Sequence, residues 1–309
     1  MVRWAKCFFF CCCLPLLLVL TACDRETPRT VNLADRVDLP EIEQRSNSQE
    51  LRLSIGSIIT PEQGYVYYRQ LVDYLSNRLD LPITVVDPGN YGKLNTMLKN
   101  GDVDVAFVCS GPYVEGRETF GLELLAAPVV NGEAAYYSNL IVPASSPAKS
   151  LDDLQGKSFA FTDPQSNSGC LVPRSQLARR GETPESFFST FSYTYAHDRS
   201  IHAVAEGLVD GAAVDSLIWD YLSAADPKLH RRVRVVERFG PFAIPPVVAA
   251  PHVPQELREK FRQALLTMHQ DPQGQKILQG MHIERFAPID DNAYESIRQM
   301  LNTIGQEKP

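Results

Sequence analysis

The chain has 309 residues, 44% of them hydrophobic and 22% charged, with a formal net charge of −7. That length allows one large domain or two lobes, with ample material for a buried core. The acidic balance excludes an electrostatic grip on nucleic acid as the main activity. Any anion site must therefore be built from local dipoles and not from overall charge.

The first residues carry Arg3 and Lys6, and residues 7–20 form an uncharged apolar run. A charged start, a short apolar core and small residues before a break make a secretory signal. The run is shorter than the roughly 20 apolar residues that a membrane span needs. Leu20-Thr21-Ala22-Cys23 stands where the run stops and resembles a bacterial lipobox. Residues 1–22 are therefore expected to be a lipoprotein signal peptide, with Cys23 lipidated and holding the protein to a membrane. Asp24 resembles an inner-membrane retention signal of enteric-type bacteria, which places the protein on the periplasmic side of that membrane. Residues 23–50 are polar and without period, and read as a flexible tether. Loss of the signal removes two basic residues and takes the formal charge from −7 to −9. Four of the seven cysteines also lie in the signal, and Cys109 and Cys170 are the two beyond Cys23. They are too few for a disulfide scaffold and read as two buried thiols, with one bridge between them as the alternative.

Leu51-Arg52-Leu53-Ser54-Ile55 alternates as a strand does and ends at Gly56. Pro61 opens a helical stretch with Tyr65, Tyr68, Leu71, Val72, Leu75 and Leu79 on one face. Residues 83–86 read as a short strand, 91–100 as a helix stopped by Gly101, and 103–108 as an apolar strand buried on both faces. Further strands are expected at 122–130, 137–142, 158–161, 192–195, 209–214, 233–236 and 247–250. Helices are expected at 169–180, 200–206, 217–224, 254–269, 272–279 and 292–304. The alternation points to an α/β fold whose mainly parallel sheets are flanked by helices.

The chain echoes itself. Residues 101–108 and 207–214 share Gly-x-Val-Asp-x-Ala-x-Val, each after a helix and each before a polar turn, Cys109-Ser110 or Asp215-Ser216. Two similar α/β lobes follow from this, with a ligand cleft where the carboxyl ends of their strands face each other. The strongest local signal is Asp163-Pro164-Gln165-Ser166-Asn167-Ser168-Gly169 between a strand and a helix. Three polar residues beside the free N–H groups of a helix start make an anion site, whereas an ordinary N-cap needs one of them.

That segment, continued by Leu171-Val172-Pro173, resembles the D-P-x-S-T-S-G-x-x-x-P signature of phosphate/phosphite/phosphonate periplasmic binding proteins. Supporting matches include Tyr136-Tyr137-Ser138-Asn139, Leu151-Asp152-Asp153-Leu154-Gln155-Gly156-Lys157 and Ala196-His197-Asp198, so the resemblance spans about residues 51–290. The resemblance implies a type II periplasmic-binding-protein fold, with two lobes joined by a hinge of crossing strands and closing on ligand. One lobe is expected over residues 51–145 plus 246–309, the other over 146–245. The family's oxyanion-holding turn falls on Ser166, Asn167, Ser168 and Gly169, with Tyr91 and Tyr136 reaching in from the opposite lobe. His197 and Asp198 fall on a polar pair lining the second lobe, and Asp215 and Ser110 close the two echoed strands. The implied ligand is a small phosphorus oxyanion, and the implied partner of this monomer is an ABC permease in the inner membrane. A membrane sensor, kinase or cyclase, is the alternative partner of the same fold. Cofactors are not implied. Asn167 stands where Thr is usual, and an acidic Asp198 favours a ligand with an amine or a protonated oxygen.

Two other classes fit the residues less well. Ser168, His197 and Asp198 suggest a hydrolase, but Asn-Ser-Gly is not a Gly-x-Ser-x-Gly elbow, and an Asp adjacent to its His cannot readily sit behind the imidazole. His197, Asp198 and His202 suggest a metal site, but a spacing of five splits the two imidazoles across helix faces.

Overall fold

The computed structural model describes residues 50–56 and 61–305. The expected signal peptide, Cys23 and the tether up to residue 49 lie outside the described residues. No described helix is long and apolar enough to cross a membrane.

The chain begins β1 (Leu51–Ile55), α1 (Pro61–Leu79), β2 (Ile83–Val85), α2 (Tyr91–Asn100), β3 (Val105–Phe107), α3 (Ser110–Phe120), β4 (Glu123–Val129) and β5 (Ala135–Pro143). It continues β6 (Ser158–Phe161), α4 (Val172–Ala178), α5 (Pro184–Phe187), β7 (Thr190–Tyr193), α6 (His197–Ala205), β8 (Gly211–Asp215), α7 (Ser216–Ala225), α8 (Pro227–Arg232) and β9 (Val233–Ala243). It ends β10 (Val247–Ala249), α9 (Gln255–Thr267), α10 (Pro272–Gly280), β11 (Arg285–Ala287) and α11 (Glu295–Gly305). Sequence reasoning passed over α3, whose opening Ser-Gly-Pro reads as a breaker. The helix forms because Pro112 sits in its first turn, where its missing N–H has no partner to lose.

The strands make a six-stranded sheet, β11-β4-β10-β3-β1-β2, and a five-stranded sheet, β7-β6-β8-β5-β9. In the first, β1 to β4 run one way, and β10 and β11 run against them. In the second, β6 to β9 run one way and β5 runs against them. Both sheets are thus mixed and not mainly parallel, with four parallel and five antiparallel pairings between them, and with their helices they form two lobes of type II periplasmic-binding architecture. The chain crosses between lobes after β4 and again after β9. Sequence reasoning drew the first crossing at 145, but β5 is hydrogen-bonded on both edges, to β8 and to β9, and belongs to the second sheet.

One core cluster fills the first lobe around Leu53, Leu75, Leu98, Val105 and Phe261, all fully buried. It also takes Leu171 and Val172, so the segment leading into α4 is anchored in the opposite lobe's core. Alternation divides the second sheet between two further clusters. Leu140 and Phe159 face one, and Ile141 and Ala160 face the other.

Candidate ligand-binding site

The strand ends and helix starts that face across the cleft bring together nearly every residue expected there. Tyr91, Ser110, Tyr136, Ser166, Asn167, Ser168, His197 and Asp215 are all buried. Local rules place each. Asn90 caps α2 by accepting the Lys93 N–H, which sets Tyr91 at the helix start. Ser110 opens α3, His197 opens α6, and Asp215 is the N-cap of α7.

The turn that carries the motif is not a plain helix start. Residues Asn167–Leu171 form one π-helical turn that runs into α4. Ser166 caps it, its Oγ accepting the Gly169 N–H at 3.0 Å. Ser138 on β5 donates to the Ser168 carbonyl at 2.6 Å and fixes the turn from behind. Gly169 lets Thr162, the residue after β6, come close to the turn, since a Cβ at 169 would overlap the Thr162 side chain.

From this turn a polar chain extends in two directions. The Asn167 amide nitrogen donates to the Tyr136 hydroxyl at 2.9 Å. Tyr136 lies on β5, within the same sheet as the strand preceding the turn, and not in the opposite lobe as the sequence suggested. On the other side Ser166 Oγ lies 3.5 Å from His197 Nε2, and His197 Nδ1 accepts the Asp215 N–H at 3.0 Å. An Nδ1 that accepts leaves the proton on Nε2, which can only donate toward Ser166. Burial pushes the His197 pKa down to about 3, so the ring is neutral. Asp215 accepts the Leu217 N–H at 2.7 Å, yet burial pushes its pKa up to about 7.

The lobes touch directly across this cluster. The Tyr91 N–H of the first lobe donates to Asp163 Oδ2 of the second at 3.2 Å, and Gln165 donates to Glu115 at 2.5 Å. A Cβ on Gly111 would overlap the Gln165 carbonyl. The Tyr91 hydroxyl pKa is held well above its usual range by burial first, then by Cys109, Asp163, Asp215 and Tyr136. Cys109 and Cys170 are both buried and unbridged.

Two expected residues take different parts. Ser110 donates to the Ala243 carbonyl at 2.7 Å, so its hydroxyl proton serves the crossing strand. Asp198 follows His197 on α6, but its Oδ1 is buried without a partner and bonds none of the other site residues. Sequence reasoning missed Asp163 and Ser138. Asp163 was visible as a carboxylate ahead of the turn, and Ser138 stood in the quoted Tyr136-Tyr137-Ser138-Asn139 segment, but nothing local pairs it with the Ser168 carbonyl. Two atoms of the turn are buried and unbonded, Ser168 Oγ and Asn167 Oδ1. Buried polar atoms are almost always paired, so orphans at a helix start inside a cleft mark a place for a polar ligand. Among the described residues, no Lys or Arg bonds to this cluster, so neutral donors and the helical turn would supply the electrostatics.

Two α/β lobes, crossing strands and a polar nest at the facing strand ends define a periplasmic-type ligand-binding protein. The chain belongs to the family described as ABC transporter, phosphonate, periplasmic substrate-binding protein, whose model matches residues 55–294. It is similar to the phosphonates-binding periplasmic protein of Escherichia coli (strain K12), with 22% identity over 262 residues, 82% of this chain and 77% of that one. A binding protein component of an ABC phosphonate transporter from Pseudomonas aeruginosa superposes with a TM-score of 0.78 at 22% identity, over 84% of this chain and 87% of that one. A methylphosphonate complex from Prochlorococcus marinus (MIT 9301) superposes with a TM-score of 0.76 at 18% identity, over 84% of this chain and 100% of that one.

Proposed function

We propose that this chain is the lipid-anchored capture component of an ABC importer, and that its cleft closes on a small phosphorus oxyanion, a phosphonate, phosphite or phosphate-like group. One observation carries this reading: Ser168 Oγ and Asn167 Oδ1 are buried and unpartnered at the start of a helical turn. In this reading Ser168 and the Tyr91 and Tyr136 hydroxyls donate to the oxyanion. Asn167 Oδ1, an acceptor, receives a hydrogen bond from a protonated group of the ligand, so a singly protonated anion or an amine-bearing ligand is preferred. Ser166 and Gly169 shape the turn, His197 orients Ser166 through its Nε2–H, and Asp215 faces the group that the anion carries. Family membership supports the importer partner, and Leu20-Thr21-Ala22-Cys23 supports anchoring at the periplasmic face of the inner membrane.

Calorimetry of the mature protein against phosphonates, phosphite, phosphate, sulfate and sulfonates tests the ligand class. Heat with at least one phosphorus oxyanion is expected, and silence with all of them sinks the reading. Ser168→Ala is expected to weaken binding by about 1–3 kcal/mol, the effect of one donor lost from a buried anion. Cys23→Ser is expected to move the protein from the membrane fraction to the soluble periplasm, and persistent membrane attachment would refute the anchor.

A further inference from the structure

The lobes meet a second time, away from the polar cluster. His282, in the turn after α10 of the first lobe, faces Tyr221 on α7 of the second, with ring centroids 4.9 Å apart and ring planes tilted by 51°. The two rings close one side of an apolar cavity of about 260 Å3, whose other walls include Phe107 and the crossing residues Ile244 and Pro245. Among the described residues, none assigned to the ligand site lines this cavity. The lobes do not pack against each other through that space, so the ring pair is a contact of its own and not the edge of a continuous seam.

Each ring is held by its own lobe. Tyr221 packs against the second-lobe core that contains Ile218 and Leu222. Tyr67 and Tyr68 of α1 stand beside it from the first lobe. Burial and then Tyr67 raise the Tyr221 pKa, and burial and then Tyr221 raise that of Tyr68. Tyr67 lies on the end of α10, where a Cβ on Gly280 would overlap its ring. His282 sits in the left-handed region, at φ 57°. Its N–H donates to the Gln279 carbonyl at 3.1 Å, and the Ile283 N–H donates to the Leu278 carbonyl at 2.9 Å. These are the two bonds that end a helix through a left-handed residue, and glycine is the usual occupant of that place. Gly101 and Gly207 fill it elsewhere in this chain, at φ 77° and 70°. A residue with a Cβ is conformationally unfavourable there. The turn keeps a histidine despite this, and the ring that it carries meets the opposite lobe.

Resting on the reading that the cleft closes on an oxyanion, we propose that Tyr221 and His282 are affinity-determining residues outside the ligand site, a latch that forms between the lobes on closure and sets the lifetime of the loaded protein. The polar cluster selects the ligand, and the latch delays its release. The latch forms after the ligand has entered an open cleft, so it acts on the release rate and leaves the association rate alone.

Phosphorus NMR exchange and calorimetry of the mature protein with methylphosphonate test this. His282→Gly and Tyr221→Ala are each expected to speed release by about threefold to tenfold, the fold-change that one aromatic pair is worth, with association within about twofold of the original. Because both variants remove the same contact, the double variant should release no faster than the faster single one. His282→Gly carries the sharpest check: glycine suits the left-handed turn, so the ligand-free protein should unfold at the same or a higher temperature while its ligand leaves sooner. Unchanged release in both single variants, or single effects that multiply in the double variant, overturns the latch and leaves the oxyanion reading in place. A lowered unfolding temperature in His282→Gly would make the ring a support of its own lobe and refute the proposal. Silence of the unaltered protein toward methylphosphonate and every other phosphorus oxyanion overturns the oxyanion reading and this proposal with it.

Discussion

The two echoed segments, 101–111 in the first lobe and 207–217 in the second, follow the same plan until they reach the cleft. Gly101 and Gly207 each stop a helix in the left-handed region, at φ 77° and 70°. Asp104 accepts the Arg52 N–H at 2.7 Å and Asp210 accepts the Ser158 N–H at 2.9 Å, so each carboxylate pins the first residues of the neighbouring parallel strand. The following Ala and Val residues are buried strand. Ser110 and Ser216 then open helices, and both reach the crossing strands: Ser110 donates to the Ala243 carbonyl, and Ser216 accepts the Tyr137 N–H at 3.0 Å. The segments part at the helix N-cap and at the residue after the serine. The first lobe has Cys109 and Gly111, and the second has Asp215 and Leu217. Shared residues build the lobe and the hinge, and the differing residues make the two walls of the cleft chemically unlike.

The largest break in this comparison comes from the residue after the serine. The first-lobe segment needs glycine at 111 because the Gln165 carbonyl passes where a Cβ would stand. Gly111→Ala is expected to oppose closure and weaken ligand binding by about 1–3 kcal/mol, the usual cost of overpacking. The ligand-free protein should melt at nearly its original temperature. Unchanged affinity would show that the two lobes do not meet at this contact in the bound state.

The N-caps sharpen the comparison through pH. Burial pushes Cys109 up to about 11, so it stays a neutral thiol in ordinary buffers, whereas Asp215 at about 7 titrates within them. An oxyanion binds better when Asp215 is protonated, so affinity is expected to fall as pH rises through 7, by up to about tenfold per unit. Stability follows a worked sign. The folded pKa of Asp215 lies above its unfolded value near 3.9, so its contribution is fully present below about pH 4 and is lost as pH rises through 7. His197 has the opposite sense: its folded pKa of about 3 lies below the unfolded value near 6.5, so its contribution is present above about pH 6.5 and is lost as pH falls toward 3. Between about pH 4 and 6.5 the two slopes oppose each other. Asp215→Asn should leave the His197 slope alone, with unfolding temperature falling steadily as pH drops below 6.5, and should flatten the pH dependence of binding near 7. The ligand's own second ionisation near neutral pH leaves some dependence in any variant, so a pH dependence as steep in Asp215→Asn as in the original protein would remove Asp215 as a titrating group.

Much of this was legible in the sequence, for a definable reason. The echo, the Ser166-Asn167-Ser168-Gly169 turn and the alternating strands are local patterns, and local hydrogen bonding produces what they encode. What stayed hidden depends on partners distant in sequence. The place of β5 in the second sheet is set by its pairing with β8 and β9, and the Ser138 bond to the Ser168 carbonyl joins residues thirty positions apart. The need for glycine at 169 comes from Thr162, seven positions earlier, whose side chain fills the space beside it.

The smallest effect is the most direct check that the echo has a mechanical purpose. Ala135 and Ala243 pair where the two crossing strands enter their ladder, with Tyr136 opposite Phe242 in the next rung. Ser110 holds this end of the ladder from the first lobe, and Ser216 holds it from the second. Ser110→Ala leaves the Ala243 carbonyl without this donor, and Ser216→Ala leaves the Tyr137 N–H without this acceptor. Each substitution is expected to cost about 0.5–1.5 kcal/mol in denaturant unfolding. Because the two bonds grip neighbouring residues of one ladder, the double variant should depart from the sum of the single ones, as residues in a shared network do. Strict additivity would mean that each serine braces only its own lobe, and the hinge would then owe its shape to the β5–β9 pairing alone.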